Sequence, residues 1–495
     1  MLTVIISYLA AVVLGIIPGR HYRLIRGLAL VTGLSTLAVS LVCYGQFRLG
    51  EGGTFQNVIE LPWIPAIGAE FKVGVDGLSI SLLMLTGLVA VCGVLFTWTL
   101  RERANQFYAY YFALIGGVFG VFLSLDLFLL FVFYELAIVP KYFIIAIWGS
   151  GRKTYAAMKL VLFSFVGSAV ALLGLIAIYY GSGQHTFDLV QLMHSGEFSP
   201  KFQIVVFPVL FVGFGILAGM WPFHTWAPTG HVAAPTAASM LLAGVVMKLG
   251  AYGCLRVAIG LLPEGAVYWA PVVGWIAVIN IVYGALIALV QTDFKYVIGY
   301  SSVSHMGFVL LGLATLNEVG LVGASLQMFS HGVIGALLFA LVGSVVYSRT
   351  RSRQLGDFHN LVQRMPGICW TYVAAGLASM GLPGFSGFVA ELHVLIGAWN
   401  QDRFSIWIMV MAGIGVLATF AYTLVKIHEA FFGKSSASAS DEPYAPMTLP
   451  EKIGCGLLLS IATVIGIYPP LLTSILEPSL APILEALAAA GKEVF

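Results

Sequence analysis

The sequence predicts an all-α polytopic membrane protein of about 14 transmembrane helices, and three observations predict it. Hydrophobic residues make up 59% of the 495, charged residues only 9%, and the mean hydropathy is +0.96. Apolar runs of membrane-spanning length recur along the chain, and basic residues gather in every second loop. A soluble protein carries roughly 25% charged residues, so this composition could not cover a water-facing surface of its size. Soluble enzyme, nucleic-acid binder and disordered scaffold are excluded. The formal net charge of +2 gives no reason to expect a polyanionic partner.

A spanning helix needs about 20 apolar residues. Spans fall near 2–17, 27–45, 77–99, 107–125, 127–149, 155–180 and 204–221. Later ones fall near 234–259, 268–290, 296–316, 320–347, 367–397, 404–431 and 452–474. The first run has no small-residue cleavage site after it and is kept as a span. A polar segment at Lys434–Glu442 precedes the last span, and residues 475–495 read as a short surface helix. Basic residues Arg20, Arg23, Arg26, Arg101, Arg103, Arg152, Lys153, Lys295, Arg349, Arg351 and Arg353 all fall on one side of this arrangement. Opposite loops such as Glu51–Asp76 are neutral or acidic. The positive-inside rule then puts both termini on the non-cytoplasmic side.

Two spans carry breakers. Trp221-Pro222 and Ala227-Pro228 interrupt the seventh, and Leu382-Pro383-Gly384 the twelfth. Broken helices survive in a membrane only where protein or a wet cavity satisfies the freed backbone groups. Two breaks five spans apart are what an inverted repeat of five-helix halves would give, although no residue-level repeat is visible. The five cysteines, Cys43, Cys92, Cys254, Cys369 and Cys455, form no CxxC or CxxxxC pair. Metal, iron–sulfur and disulfide readings therefore lack ligands, and buried apolar positions are expected.

A charge at the membrane centre costs several kcal/mol unless paired or hydrated, so each one needs an explanation. Glu135 and Lys248 sit centrally in their spans, and Glu391 follows the twelfth-span break. Lys159 lies inside the sixth span, and His305 and His331 lie in the tenth and eleventh. Acids, bases and imidazoles in a row can exchange protons along hydrated gaps. The bland reading is a set of ion pairs that only fix helix register. Asp126 and Asp293 lie at span ends, where capping is expected. Lys141 and Lys426 lie near helix ends, where snorkelling is expected.

At these residues the sequence resembles the antiporter-like subunits of respiratory complex I, and among them subunit M, the counterpart of the mitochondrial fourth NADH dehydrogenase subunit. The stretches that carry the resemblance are Gly74-Val-Asp-Gly-Leu-Ser79, Ser124–Glu135, Ile145-Ala-Ile-Trp-Gly149 and Pro222-Phe-His-Thr-Trp226. They continue through Ala234-Pro-Thr236, Lys248-Leu-Gly-Ala-Tyr-Gly253, Gln291-Thr-Asp-Phe-Lys295 and Tyr300-Ser-Ser-Val-Ser-His-Met-Gly307. Leu382-Pro-Gly384 and Gly387-Phe-Val-Ala-Glu391 complete the set. Glu391, where subunits L and N have lysine, and a chain ending soon after the fourteenth span both favour subunit M.

The resemblance implies N-terminal helices in 1–106, inverted repeats at 107–259 and 260–433, and a loop, last helix and tail in 434–495. It implies proton translocation through Glu135, Lys248, Glu391, Lys159, His305 and His331, with no cofactor in this chain. Quinone, FMN and iron–sulfur clusters would sit in partner subunits of a complex-I-like NAD(P)H- or ferredoxin-fed oxidoreductase. L-type and N-type antiporter-like subunits would be neighbours, in a bacterial inner membrane or a thylakoid. A sodium/proton antiporter subunit, a membrane-bound hydrogenase arm and a spacer that has lost pumping are the alternatives.

One departure matters. The seventh-helix lysine that normally partners the glutamate falls at Leu217, and Thr229-Gly-His231 replaces the usual Asp-Ala-His. Lys141 is a candidate replacement, but six residues on it lies about 240° round the helix from Glu135.

Overall fold

The computed structural model describes residues 1–48, 55–358, 361–433 and 442–493. The segment expected to separate the last span, Lys434–Glu442, lies almost wholly outside the described residues, as do 51–54 of the Glu51–Asp76 loop. Helices α1 (Leu2–Ile16) and α2 (Tyr22–Gln46) pack on α3 (Gly77–Phe96) and α4 (Ala104–Leu123). Next come α5 (Leu127–Leu136 with Ile138–Trp148), α6 (Lys153–Gly181) and α7 (Pro200–Ala218 with Trp226–Ala233). The span Thr236–Ile259 is α8, followed by α9 (Pro263–Val290), α10 (Phe294–Ala314) and α11 (Glu318–Thr350). Last are α12 (Pro366–Ser379 with Ser386–Trp399), α13 (Ile406–Phe432), α14 (Leu449–Ile467) and α15 (Pro470–Glu493).

Among the described residues thirteen helices are long and apolar enough to cross a membrane, α15 being one of them. The contacts of α15 argue for a different placement. Leu471 accepts from the Tyr44 hydroxyl at the end of α2, and Ser479 from the backbone of Gly77 at the start of α3. Ile483 reaches Gly260 beyond the end of α8. One helix touching three helix ends lies along that face, as the surface-helix reading of the tail expects, though it begins earlier, at Pro470. With α15 set aside, and the shorter α1 and the two-part α12 counted, the passes number fourteen.

The loop before α3 holds an antiparallel hairpin, β1 (Gln56–Ile64) and β2 (Ala69–Val75), which periodicity had not suggested. Lys72, opposite Glu60, reaches it at 3.0 Å and Asp188 at 2.6 Å. Asp126 caps α5 through the Leu129 amide (2.8 Å) and also accepts from the Glu70 amide (3.0 Å), so it fastens the hairpin to the bundle. Asp293 caps α10 through the Lys295 amide at 2.8 Å. Capping is what both positions were expected to do.

The breaks fall close to where the sequence places them. Helix α7 stops at Ala218, and Gly219 turns left-handed with φ +80°. Ala227-Pro228, however, does not interrupt: Pro228 is the third residue of the second half, a first-turn position where its missing N–H is unneeded. Helix α12 parts between Ser379 and Ser386, with Gly381 at φ +76° and Gly384 at φ +100°. A further break, at Ala137 in α5, was not foreseen; Pro140 removes a donor one turn later and frees the Leu136 carbonyl.

Candidate functional site

The most deeply buried helices are α3, α8, α10 and α11, and the polar residues of the centre hang from the last three and α12. Lys248 is fully buried in α8, in an α-helical segment (Met247–Gly253) between two π-helical stretches, Leu242–Val246 and Cys254–Ile259. A π turn widens the helix and disturbs its ordinary bonding. The Lys248 ammonium donates to the carbonyl of Ala243 in the first π stretch. It also stands 3.0 Å from Nδ1 of His331 in α11. That approach depends on close packing of the two helices: a Cβ on Gly332 would lie 2.7 Å from the Gly244 carbonyl.

A second pair lies next to the first. Nδ1 of His305 is 3.2 Å from Oε1 of Glu391, and Nε2 is 3.1 Å from Oγ of Ser379. The carboxylate accepts from Nδ1–H, and Ser379 then donates to Nε2. The rings of His305 and His331 lie 5.5 Å apart and 31° from parallel. A cavity of about 10 Å³ between them is lined by His305, His331, Gln327, Ser330, Ser379 and Glu391. Four titratable side chains from four helices thus meet at mid-depth, none more than 6% exposed.

Glu135 and Lys159 stand apart from this centre. Glu135 is half-buried on α5, and its Oε1 has no hydrogen-bond partner among the described residues. It interacts electrostatically with Lys141, which is 1% exposed and whose Nζ likewise makes no hydrogen bond among them. Snorkelling places Lys141 at the surface; it is buried inside the bundle instead. No ion pair within 4.0 Å joins the two among the described residues, in keeping with the helical angle between them. Leu217 is buried as well. Lys159 donates to Thr229 of α7 at 3.2 Å and feels His224 electrostatically.

The sequence reading gave no separate role to His231. It is fully buried between Trp226 and Phe339, and both ring nitrogens lack hydrogen-bond partners among the described residues. It is coupled electrostatically to Lys248 on one side and Lys295 on the other. Lys295 donates to the Ala234 carbonyl at 2.9 Å and borders a cavity of about 250 Å³ shared with Ser150, Thr236 and Arg353. The signal was present: an imidazole in the apolar stretch before Val232-Ala-Ala-Pro235 passes the same test that selects His305.

The NADH:quinone oxidoreductase/Mrp antiporter transmembrane family model matches residues 124–418, more than half of the sequence. The chain belongs to that family. "NAD(P)H-quinone oxidoreductase chain 4 2" of Thermosynechococcus vestitus is 36% identical over 474 residues, covering 95% of this chain and 88% of the relative. Chain 4-1 of Synechocystis is 36% identical over 486 residues, covering 96% and 91%. The resemblance to the M-type antiporter-like subunit is borne out. A chain of respiratory complex I from Thermus thermophilus with bound NADH superposes with a TM-score of 0.89 at 26% identity, covering 98% of this chain and 99% of that one. A chain of the Mrp complex from Dietzia has the same fold, with a TM-score of 0.86 at 21% identity over 100% and 98%. In this antiporter-type subunit the motif stretches converge on one centre: those with Lys248, His305 and Glu391 supply three of its four titratable side chains.

Proposed function

We propose that this antiporter-type chain is a proton-translocating membrane subunit of a complex-I-like NAD(P)H–quinone oxidoreductase, and that Lys248, His331, His305 and Glu391 carry the protons through it. The observation that supports this reading is the pair of hydrogen-bonded couples, Lys248–His331 and His305–Glu391, whose imidazoles lie 5.5 Å apart in the middle of an apolar bundle. An imidazole can take a proton on one nitrogen while releasing one from the other, so two of them in series join a base to an acid. Lys295, which lines the 250 Å³ cavity, and the buried His231 behind it lead protons from the basic-loop face toward Lys248. Glu135 and Lys159 act on the first bundle as charges that bias Lys248 rather than as links in the row.

In this reading residues 107–259 and 260–433 form the two inverted repeats, meeting at the Lys248–His331 contact. Quinone, FMN and iron–sulfur clusters reside in partner subunits, and L-type and N-type subunits flank this one. The membrane is a bacterial inner membrane or a thylakoid, and both termini lie on the non-cytoplasmic side.

Reconstitution of the intact complex carrying Lys248→Met tests the reading. Quinone reduction that proceeds while vesicle acidification per quinone falls supports it. Unchanged acidification in an assembled complex would overturn it.

A further inference from the structure

Ser379 belongs to two cavities. One is the small space between the histidines; the other, about 20 Å³, lies on the side toward the basic-loop face and is lined by Ser301, Ser379, Tyr422, Thr423 and Lys426 among others. That volume has room for one water, and the surrounding groups offer more than the two polar partners a water needs. The Tyr422 hydroxyl is 2.7 Å from Oγ of Ser301, while Ser379 and Thr423 stand beside it. Thr423 Oγ1 is buried with no hydrogen-bond partner among the described residues. One turn on along α13, Lys426 is 6% exposed and donates at 2.8 Å to Glu429, whose side chain is 42% exposed. Ser301 already satisfies the Tyr422 hydroxyl, and Ser379 continues from the same cavity to Nε2 of His305.

We propose that Tyr422 and Lys426 form a second proton branch, joining the His305–Glu391 couple to the basic-loop face independently of Lys248. It rests on the proposed proton row. Lys426 gives a proton toward the cavity and regains one from solvent through Glu429. Tyr422 and Ser379 each accept one proton and release one, ending unchanged. Nε2 of His305 receives the proton as Nδ1–H passes to Glu391. The branch delivers protons to Glu391 even when the Lys248 side is empty.

The test uses the intact complex in liposomes, with acidification measured per quinone reduced. Tyr422→Phe lowers the ratio several-fold while assembly is retained. Lys426→Arg separates relay from structure, because a guanidinium keeps the charge next to Glu429 but releases no proton. The branch requires Lys426→Arg to be as defective as Lys426→Met. Native pumping in Tyr422→Phe, or in Lys426→Arg should the tyrosine variant fail to assemble, overturns it. Lys248→Met is run alongside. If it alone is defective, the branch falls and the row stands; if none is defective, the row falls as well.

Discussion

The ammonium of Lys248 stands 3.0 Å from Nδ1 of His331, and neither side chain is more than 5% exposed. Nδ1 accepts from the ammonium, so the neutral ring carries its hydrogen on Nε2, which is buried with no hydrogen-bond partner among the described residues. The His305 ring, 5.5 Å away, is the neighbouring imidazole to which a proton from Lys248 can pass.

This arrangement makes the two residues energetically dependent on each other. Leaving a buried charged donor short of a partner costs about 3 kcal/mol, whereas replacing both groups by apolar ones costs less. His331→Leu is expected to lower the thermal inactivation midpoint of the complex more than Lys248→Met/His331→Leu does. A double-mutant cycle on midpoint shifts checks it; strict additivity would show that the contact carries no coupling.

Lys141, 1% exposed, is the candidate for the cation that Leu217 does not provide beside Glu135. Lys141→Met is expected to lower pumping several-fold, with Leu217→Lys added on that background recovering part of the loss. The coupling of Lys141 to Glu135 motivates the prediction. Acidification rates of the two variants decide it: a Lys141→Met complex that pumps normally would leave Glu135 without a cationic partner of any consequence.

Outside the spans, burial pushes the carboxyl of Asp126 up to about 6, against the opposing pull of the amides of Glu70 and Leu129. A carboxyl whose folded value exceeds its unfolded one adds stability below the unfolded value, near 4, and loses it as pH rises through 6. Docking of the β1–β2 hairpin is thus expected to loosen between pH 4 and 6.5. Hydrogen exchange at the amides of Glu70 and Leu129, corrected for intrinsic rate, reads this directly. In Asp126→Asn the pH dependence is expected to disappear.

The spans were legible because each is an apolar run of the right length, and the charges alternate with the loops. Lys248 and Glu391 were legible because an ion in such a run costs several kcal/mol and so stands out from its apolar neighbours. What was hidden depended on three-dimensional meeting. Ser379 and Tyr422 are ordinary residues for a membrane helix, and only their shared cavity marks them out. Nearness to a helix end predicts snorkelling for Lys141, whereas packing of the neighbouring helices, which no single span reveals, buries it. The β1–β2 hairpin escaped notice because its exposed apolar residues, such as Val58, Ile59 and Leu61, break the alternation that reveals a strand.

Helix α8 is held in one rotational setting along its length. Its far end is pinned, since Arg256 is paired with Asp76 at the start of α3. Its near end follows directly on the broken helix α7. Between the π stretches, Gly250 and Gly253 meet α7 with no side chain, and a Cβ on either would lie 2.4 Å from atoms of Phe214. Any other rotation of Met247–Gly253 would press a side chain into that helix. The two glycines therefore work as a key in a slot, and they fix the bearing at which Lys248 meets His331.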